Sequence, residues 1–282
     1  MKLLTYRSEE QLRTGLLTEK GILPLPHSMD EIIQGGTSLL DELKHMAASG
    51  TIQDLLQEQE IRFGPCVPRP GKIICVGLNY RKHAEESKMP IPEYPVLFNK
   101  FDNTVAAHQD EILLPAHSKQ VDYEAELAIV IGKTAKNVDK EEALDYVFGY
   151  CAANDLSARD LQFRTNQWLL GKCCDGFCPL GPYLVTADEV GNPNELGIRS
   201  YVNGELRQNS NTADMIFACD EIVSYLSQHM TLHPGDVILT GTPEGVILGY
   251  PEEKRVWLRE GDEVTIEIDR LGRLSNRMKQ EM

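Results

Sequence analysis

The stretch Val121 to Ile131, V-D-Y-E-A-E-L-A-I-V-I, constrains the chain most. Leu127 to Ile131 is a β-favouring apolar run that stops at Gly132, which predicts a strand. Side chains on a strand alternate between faces. Asp122, Glu124 and Glu126 therefore share one face with Ala128 and Val130, while Tyr123, Ala125, Leu127, Ile129 and Ile131 line the other. Along such a strand Glu124 and Glu126 sit roughly 6.8 Å apart. Two carboxylates this close repel unless positive charge lies between them. Oxygen ligands suit a hard divalent cation such as Mg²⁺, Mn²⁺ or Ca²⁺. The spacing is also met by a solvated strand end carrying ordinary surface charge.

A chain of 282 residues, 41% hydrophobic and 25% charged, has room for a real core in one large domain or two smaller ones. Its net charge of −15 argues against nucleic acid or an anionic membrane surface as a general partner. A small anionic substrate stays allowed, since a bound metal and a few Lys or Arg reverse the sign locally. No apolar run approaches the ~18 residues of a membrane span, and Met1 to Gly21 has no signal-peptide core. Seven cysteines without a C-x-x-C pair suggest neither a zinc ribbon nor a disulfide framework. A reduced, cytosolic protein is expected.

Residues 1–65 read as a separate small unit with a structural or assembly role. Ser28-Met29-Asp30-Glu31 resembles a capping box before Ile32 and Ile33. A second helix is expected after Ser38, ended by Gly50, and a third capped by Thr51 with Ile52, Leu55 and Leu56. Gly64, Pro65, Pro68, Pro70 and Gly71 form a linker into residues 66–282.

Lys72 to Val76 reads as a strand and Gly77-Leu78-Asn79-Tyr80 as the turn after it. His83 and Glu86 follow three apart, on one face of a helix. A carboxylate touching an imidazole fixes its tautomer and raises its basicity, as in a water-activating pair. This polar segment fits a lid or a plain solvated helix. Pro95 to Lys100 is another strand, with Lys100 at its end. Asp139 and Glu142 are expected to cap a helix through Phe148, closed by Gly149. Tyr150 to Asn154 leads to Asp155, which fits either a third metal ligand or the N-cap of the turn Leu156 to Gln162. Lys172 opens a Gly- and Cys-rich loop, where it is placed to meet a carboxylate or enolate or simply to stay exposed.

The last third reads as β-rich. Asn203-Gly204 predicts a hairpin between Ile198–Val202 and Glu205–Gln208. Thr212 is expected to open a helix through Leu226, and Gly235-Asp236 and Gly261-Asp262 each precede a strand. The glycines of Gly241-Thr242-Pro243-Glu244-Gly245-Val246 let backbone approach a ligand, and Thr242 offers a hydroxyl and an amide.

The ordered set G-L-N-Y-x-x-H-A-x-E, D-Y-E-A-E-L, N-D-L-S-A-R-D, G-K, P-L-G-P and T-G-T-P-E-G-V resembles the fumarylacetoacetate hydrolase family, over Lys72 to about Leu274. The resemblance implies an α+β, β-rich fold. Its catalytic domain is a mixed β-sandwich roll with a small α/β N-terminal domain, usually a homodimer. It implies Mg²⁺ or Mn²⁺ on Glu124, Glu126 and Asp155, a lid pair of His83 and Glu86, and a catalytic lysine at Lys172. Thr242 matches the substrate-carboxylate threonine, with Gly241 in the same motif. Gln162 and Lys100 fall at further polar contacts, although Phe101 stands where relatives often have proline. The implied substrates are small 2-oxo or 2,4-dioxo acids. The expected reaction is carbon–carbon hydrolysis of an acylpyruvate. Oxaloacetate decarboxylation or tautomerisation comes next, then isomerisation of a 2-hydroxyhepta-2,4-diene-1,7-dioate.

Overall fold

The strand expected from Leu127 runs Ala125–Ile131, and every residue in it is buried. Its alternation organises the molecule, because its two faces enter two different cores. Ala125, Leu127, Ile129 and Ile131 join a cluster with Ile198, Ile266, Ile222 and Leu226. Ala128 and Val130 join a second cluster with Leu3, Leu16, Ile32 and Leu43. Fully burying one such aliphatic side chain contributes roughly 1.5–3 kcal/mol, so neither face tolerates a register slip.

The structure is a computed structural model that describes residues 1–9, 11–48, 55–86 and 89–281. Its main sheet has eleven strands. The order along it is Gly21–Leu25, Gln11–Thr18, Lys2–Ser8, Cys178–Thr186, Val147–Asn154, Ala125–Ile131, Val237–Leu239, Ile73–Gly77 and Val96–Lys100. Arg62–Gly64 and Val105–Ala106 pair off this path. A second sheet of five strands runs Glu205–Asn211, Gly197–Val202, Glu263–Ile268, Gly272–Gln280 and Glu111–Leu114. Helix Cys219–His229 buries Ile222, Val223 and Leu226 in the first cluster. The architecture is the β-rich α+β arrangement that the sequence implied.

The N-terminal stretch hydrogen-bonds to this frame. It opens with three strands, and Lys2 and Leu3 pair with Val185 and Leu184 of the main sheet. The capping box forms: the Ser28 amide donates to the Glu31 carboxylate at 2.7 Å and the Glu31 amide to Ser28 Oγ at 3.3 Å. The second helix expected near Ser38 follows a break at Gly36, where the backbone leaves helical geometry at φ 55° and ψ −142°. The whole helical segment runs Met29–Ala48, and only glycine takes such a φ without strain. Gly50, Thr51 and Ile52 lie outside the described residues, and Leu56 forms a β-bridge with Ile22 instead of a helical turn.

Three further expectations are corrected. Lys140–Tyr146 is a 3₁₀ segment with no side-chain cap at Asp139. Gly149 lies inside strand Val147–Asn154, where a Cβ would fall 2.2 Å from the Val185 carbonyl oxygen. The helix expected at Thr212 begins at Cys219, because the Thr212 hydroxyl is used by Pro193 and Leu196 in a 3₁₀ turn. The Asn203-Gly204 hairpin and the strands after both Gly-Asp turns stand as read.

Candidate metal centre and active-site cavity

Antiparallel register builds the site. Ala125 faces Asn154, so the chain leaving Asn154 delivers Asp155 beside Glu124. The Asp155 amide donates to the Glu124 carbonyl at 2.9 Å, and the Glu124 amide to Asn154 Oδ1 at 3.0 Å. The buried carboxylates of Glu124, Glu126 and Asp155 then offer oxygens that lie within 4.8 Å of one another.

Buried cations surround them. Lys172 Nζ donates to Glu124 at 2.7 Å and to Asp155 at 2.8 Å. Lys100 Nζ donates to the other Asp155 oxygen at 2.5 Å and to the Leu156 carbonyl at 3.2 Å. Arg159 reaches Asp122 at 2.9 Å, Gln162 at 3.0 Å and Glu124 at 2.7 Å. Asp122 in turn accepts the amides of Ile247 and Leu248. Glu126 accepts the Gly241 amide at 2.7 Å, and no cation pairs with it among the described residues.

Four buried carboxylates thus face three buried cations, and one negative charge is left over. Burial works to raise the Glu124 carboxyl, but Lys172 and Arg159 override it and hold it low. Glu126 is pushed well up by burial and then by Asp155 and Glu124. Burial alone would lower Lys172, yet Asp155 and Glu124 keep it firmly protonated. A divalent cation held there would balance the charge that no described Lys or Arg pairs with on Glu126, and an all-oxygen donor set suits Mg²⁺ or Mn²⁺.

Beside this cluster lies a cavity of about 710 Å³. His83, Glu86, Glu124, Glu126, Arg159, Gln162, Lys172 and Thr242 all line it. Thr242 Oγ accepts from Gln208 Nε2 at 2.8 Å. Lys100 and Gly241, expected to meet substrate, are not on the wall. Each holds a carboxylate from behind: Lys100 binds Asp155, and the Gly241 amide binds Glu126. Gly241 must be glycine, since its φ is 98° and a Cβ would fall 2.7 Å from Asn79 Cβ.

His83 and Glu86 both sit on helix Arg81–Glu86, but no hydrogen bond joins them. His83 Nδ1 is buried without a partner, and burial pushes the imidazole down to about 4. Glu86 accepts the Gly245 amide at 2.9 Å, and its carboxyl is raised by burial. The turn before this helix is pinned by Asn79, which bonds the Phe217 amide and the Phe217 and Thr240 carbonyls.

Arg159 and Asp122 were missed as site residues. Strand alternation already put Asp122 on the face of Glu124. Arg159 precedes Gln162 by three in the short helix Arg159–Gln162, so both reach one side.

The profile described as fumarylacetoacetate (FAA) hydrolase C-terminal matches residues 72–279. The chain belongs to this family. Among its curated members, the mitochondrial oxaloacetate tautomerase fahd2 of Xenopus laevis is 47% identical over 254 residues, covering 89% of this chain and 78% of that protein. The fumarylacetoacetate hydrolase domain-containing protein 2 homolog of Dictyostelium discoideum is 43% identical, over 99% of this chain and 97% of its own length. Among solved family structures, maleylpyruvate hydrolase from Sphingobium sp. SYK-6, in complex with manganese(II) ion and pyruvate, superposes with a TM-score of 0.83 at 30% identity, over all of both chains. No helix among the described residues is long and apolar enough to cross a membrane.

Proposed function

We propose that the chain is a divalent-metal-dependent enzyme that enolises small 2-oxo acids, with oxaloacetate keto–enol tautomerisation as its main reaction. One observation carries this: three converging buried carboxylates stand next to a protonated Lys172, and Glu124, Glu126 and Lys172 line one cavity. Held by Glu124, Glu126 and Asp155, Mg²⁺ or Mn²⁺ would supply Lewis-acid stabilisation of an enolate oxygen. Ca²⁺ is a substitute of the same hard class.

The chain's own residues do the rest. Lys172 places fixed positive charge where the C2 oxygen gains negative charge. Thr242 and Gln162 bind and orient the substrate carboxylate from the cavity wall. His83, kept neutral by burial, takes the C3 proton. The C3–H electron pair becomes the C2=C3 double bond as the C2=O π pair moves onto oxygen. His83 gives up the proton, directly or through solvent, to the C2 oxygen and ends neutral.

The relatives' names support placing tautomerisation ahead of hydrolysis, reversing the order expected from sequence. So does the engagement of Glu86 with Gly245, which leaves the water-activating pair unformed. Hydrolysis is the second reading, because Glu86 and His83 line one cavity and a structural relative is a maleylpyruvate hydrolase. A homodimer, a cytoplasmic location and a structural role for residues 1–65 belong to the same proposal.

Metal-loaded protein assayed on oxaloacetate, acetylpyruvate and fumarylpyruvate separates the readings. Accelerated enol–keto conversion of oxaloacetate is expected. Release of pyruvate from the other two, with no effect on oxaloacetate, would replace tautomerisation by hydrolysis.

A further inference from the structure

The cavity exceeds what oxaloacetate needs. Its 710 Å³ lies in the range of sites that hold drug-sized ligands, and a C4 diacid fills a minor part of it. Aromatic side chains bound the space next to the reacting end. Trp168 meets Phe98 edge to face, with centroids 5.2 Å apart at 68°. Lys172 Nζ lies 4.9 Å from the Phe98 centroid, so this wall adjoins the amine that faces the carboxylates. Both rings line the cavity, and both are only half-buried.

The wall is also fixed. A Cβ on Gly77 would fall 2.8 Å from the Trp168 ring, so a bare glycine seats the indole against strand Ile73–Gly77. Leu248 and Tyr250 add further apolar surface to the same cavity. Rigid aromatic surface left open to water beside a charged centre is stabilised when a flat ligand covers it.

We propose that the site takes 2-oxo acids whose C3 carries a planar aromatic group lying on the Phe98–Trp168 wall, and that keto–enol interconversion of arylpyruvates is a further activity. The proposal rests on the enolisation reading for its chemistry and on the wall for its specificity. The bonds exchanged are those of the oxaloacetate reaction. The C3–H bond breaks, its electron pair forms C2=C3 as the C2=O π pair moves onto oxygen, and His83 carries the proton from C3 and releases it, directly or through solvent, to the C2 oxygen. No oxidant or co-reactant enters. A ring at C3 conjugates with the new double bond only when coplanar with it, and stacking on the face of one ring of the wall favours that conformer.

The test uses the full chain with Mg²⁺, with phenylpyruvate and pyruvate as probes. Calorimetric titration should show phenylpyruvate bound roughly tenfold or more tightly than pyruvate. Deuterium exchange at C3, followed by NMR, should show the same preference in kcat/KM. Trp168→Ala should shrink the phenylpyruvate-to-pyruvate ratio roughly tenfold in both measurements, and Trp168→Phe should keep most of it. A binding preference without exchange upholds the wall and removes the enolisation reading. Equal affinity of the wild-type protein for the two acids, or an unchanged ratio in folded Trp168→Ala, overturns the proposal. The wild-type comparison decides the matter even if the alanine variant does not fold.

Discussion

The two sides of the cavity are built in opposite ways. On the strand side, Glu124, Asp155, Lys100, Lys172 and Arg159 are buried and tied to one another by charge-assisted hydrogen bonds. On the helix side, His83 is buried with an unpartnered nitrogen, and Glu86 bonds a loop amide. A site that stabilises charge needs fixed groups, since reorganising them costs free energy at the moment of reaction. A site that moves a proton needs a group with spare hydrogen-bonding capacity. Under the proposed function, charge stabilisation falls to the strand side and proton transfer to the helix side.

Breaking the fixed side should have the largest effect. Asp155→Ala strips Lys100 of the carboxylate it pairs with and leaves Lys172 with Glu124, and removing one member of a buried ion cluster costs about 3–5 kcal/mol. Urea unfolding should show that loss, and calorimetry should show Mg²⁺ binding abolished. Retained Mg²⁺ affinity would remove Asp155 from the ligand set.

Breaking the helix side should separate chemistry from metal binding. His83→Ala should lower kcat for oxaloacetate roughly 10²-fold or more while leaving Mg²⁺ affinity in place. Steady-state kinetics beside metal titration checks both halves. Persistence of full activity would discard His83 as the proton acceptor.

Acid should expose the same asymmetry. The imidazole titrates near 4 when folded and near 6.5 when unfolded, so below pH 6.5 the unfolded chain binds more protons. Stability from this group is complete above that pH and is lost as pH falls toward 4, amounting to about 2 kcal/mol between pH 7 and pH 5. Urea midpoints of wild type and His83→Leu over that range should diverge by this amount. Parallel curves would show that His83 is not held neutral by burial.

The smallest effect sharpens the choice of reaction. Glu86→Gln keeps an oxygen for the Gly245 amide but removes the charge. Tautomerisation should change less than about threefold, under 1 kcal/mol, whereas hydrolysis by a His–Glu pair should fall about 10²-fold.

Much of the strand side was readable from sequence. Alternation along Val121 to Ile131 placed Glu124 and Glu126 on one face, and the two cores divide along that alternation. What local patterns do not encode is which distant element meets which. Lys100 looks like a free strand-end lysine in sequence, and only the fold brings it to Asp155, 55 residues on. The hydrogen bond from Gly245 to Glu86 spans 159 residues and displaces a local pairing that three-residue spacing favours. The N-terminal strands were missed for a related reason. Their pairing with Cys178–Thr186 supplies the burial, and their own alternation is weak.

The central strand has one more consequence. Its apolar residues hold both cores together, while Glu126 within it and Glu124 just before it belong to the proposed cation site, so ion uptake and unfolding would be linked equilibria. A cation bound only by the native chain raises the melting midpoint by mass action. Occupancy can therefore be read from a thermal denaturation curve before any substrate is added, and the midpoint's rise with Mg²⁺ concentration yields the ion's dissociation constant.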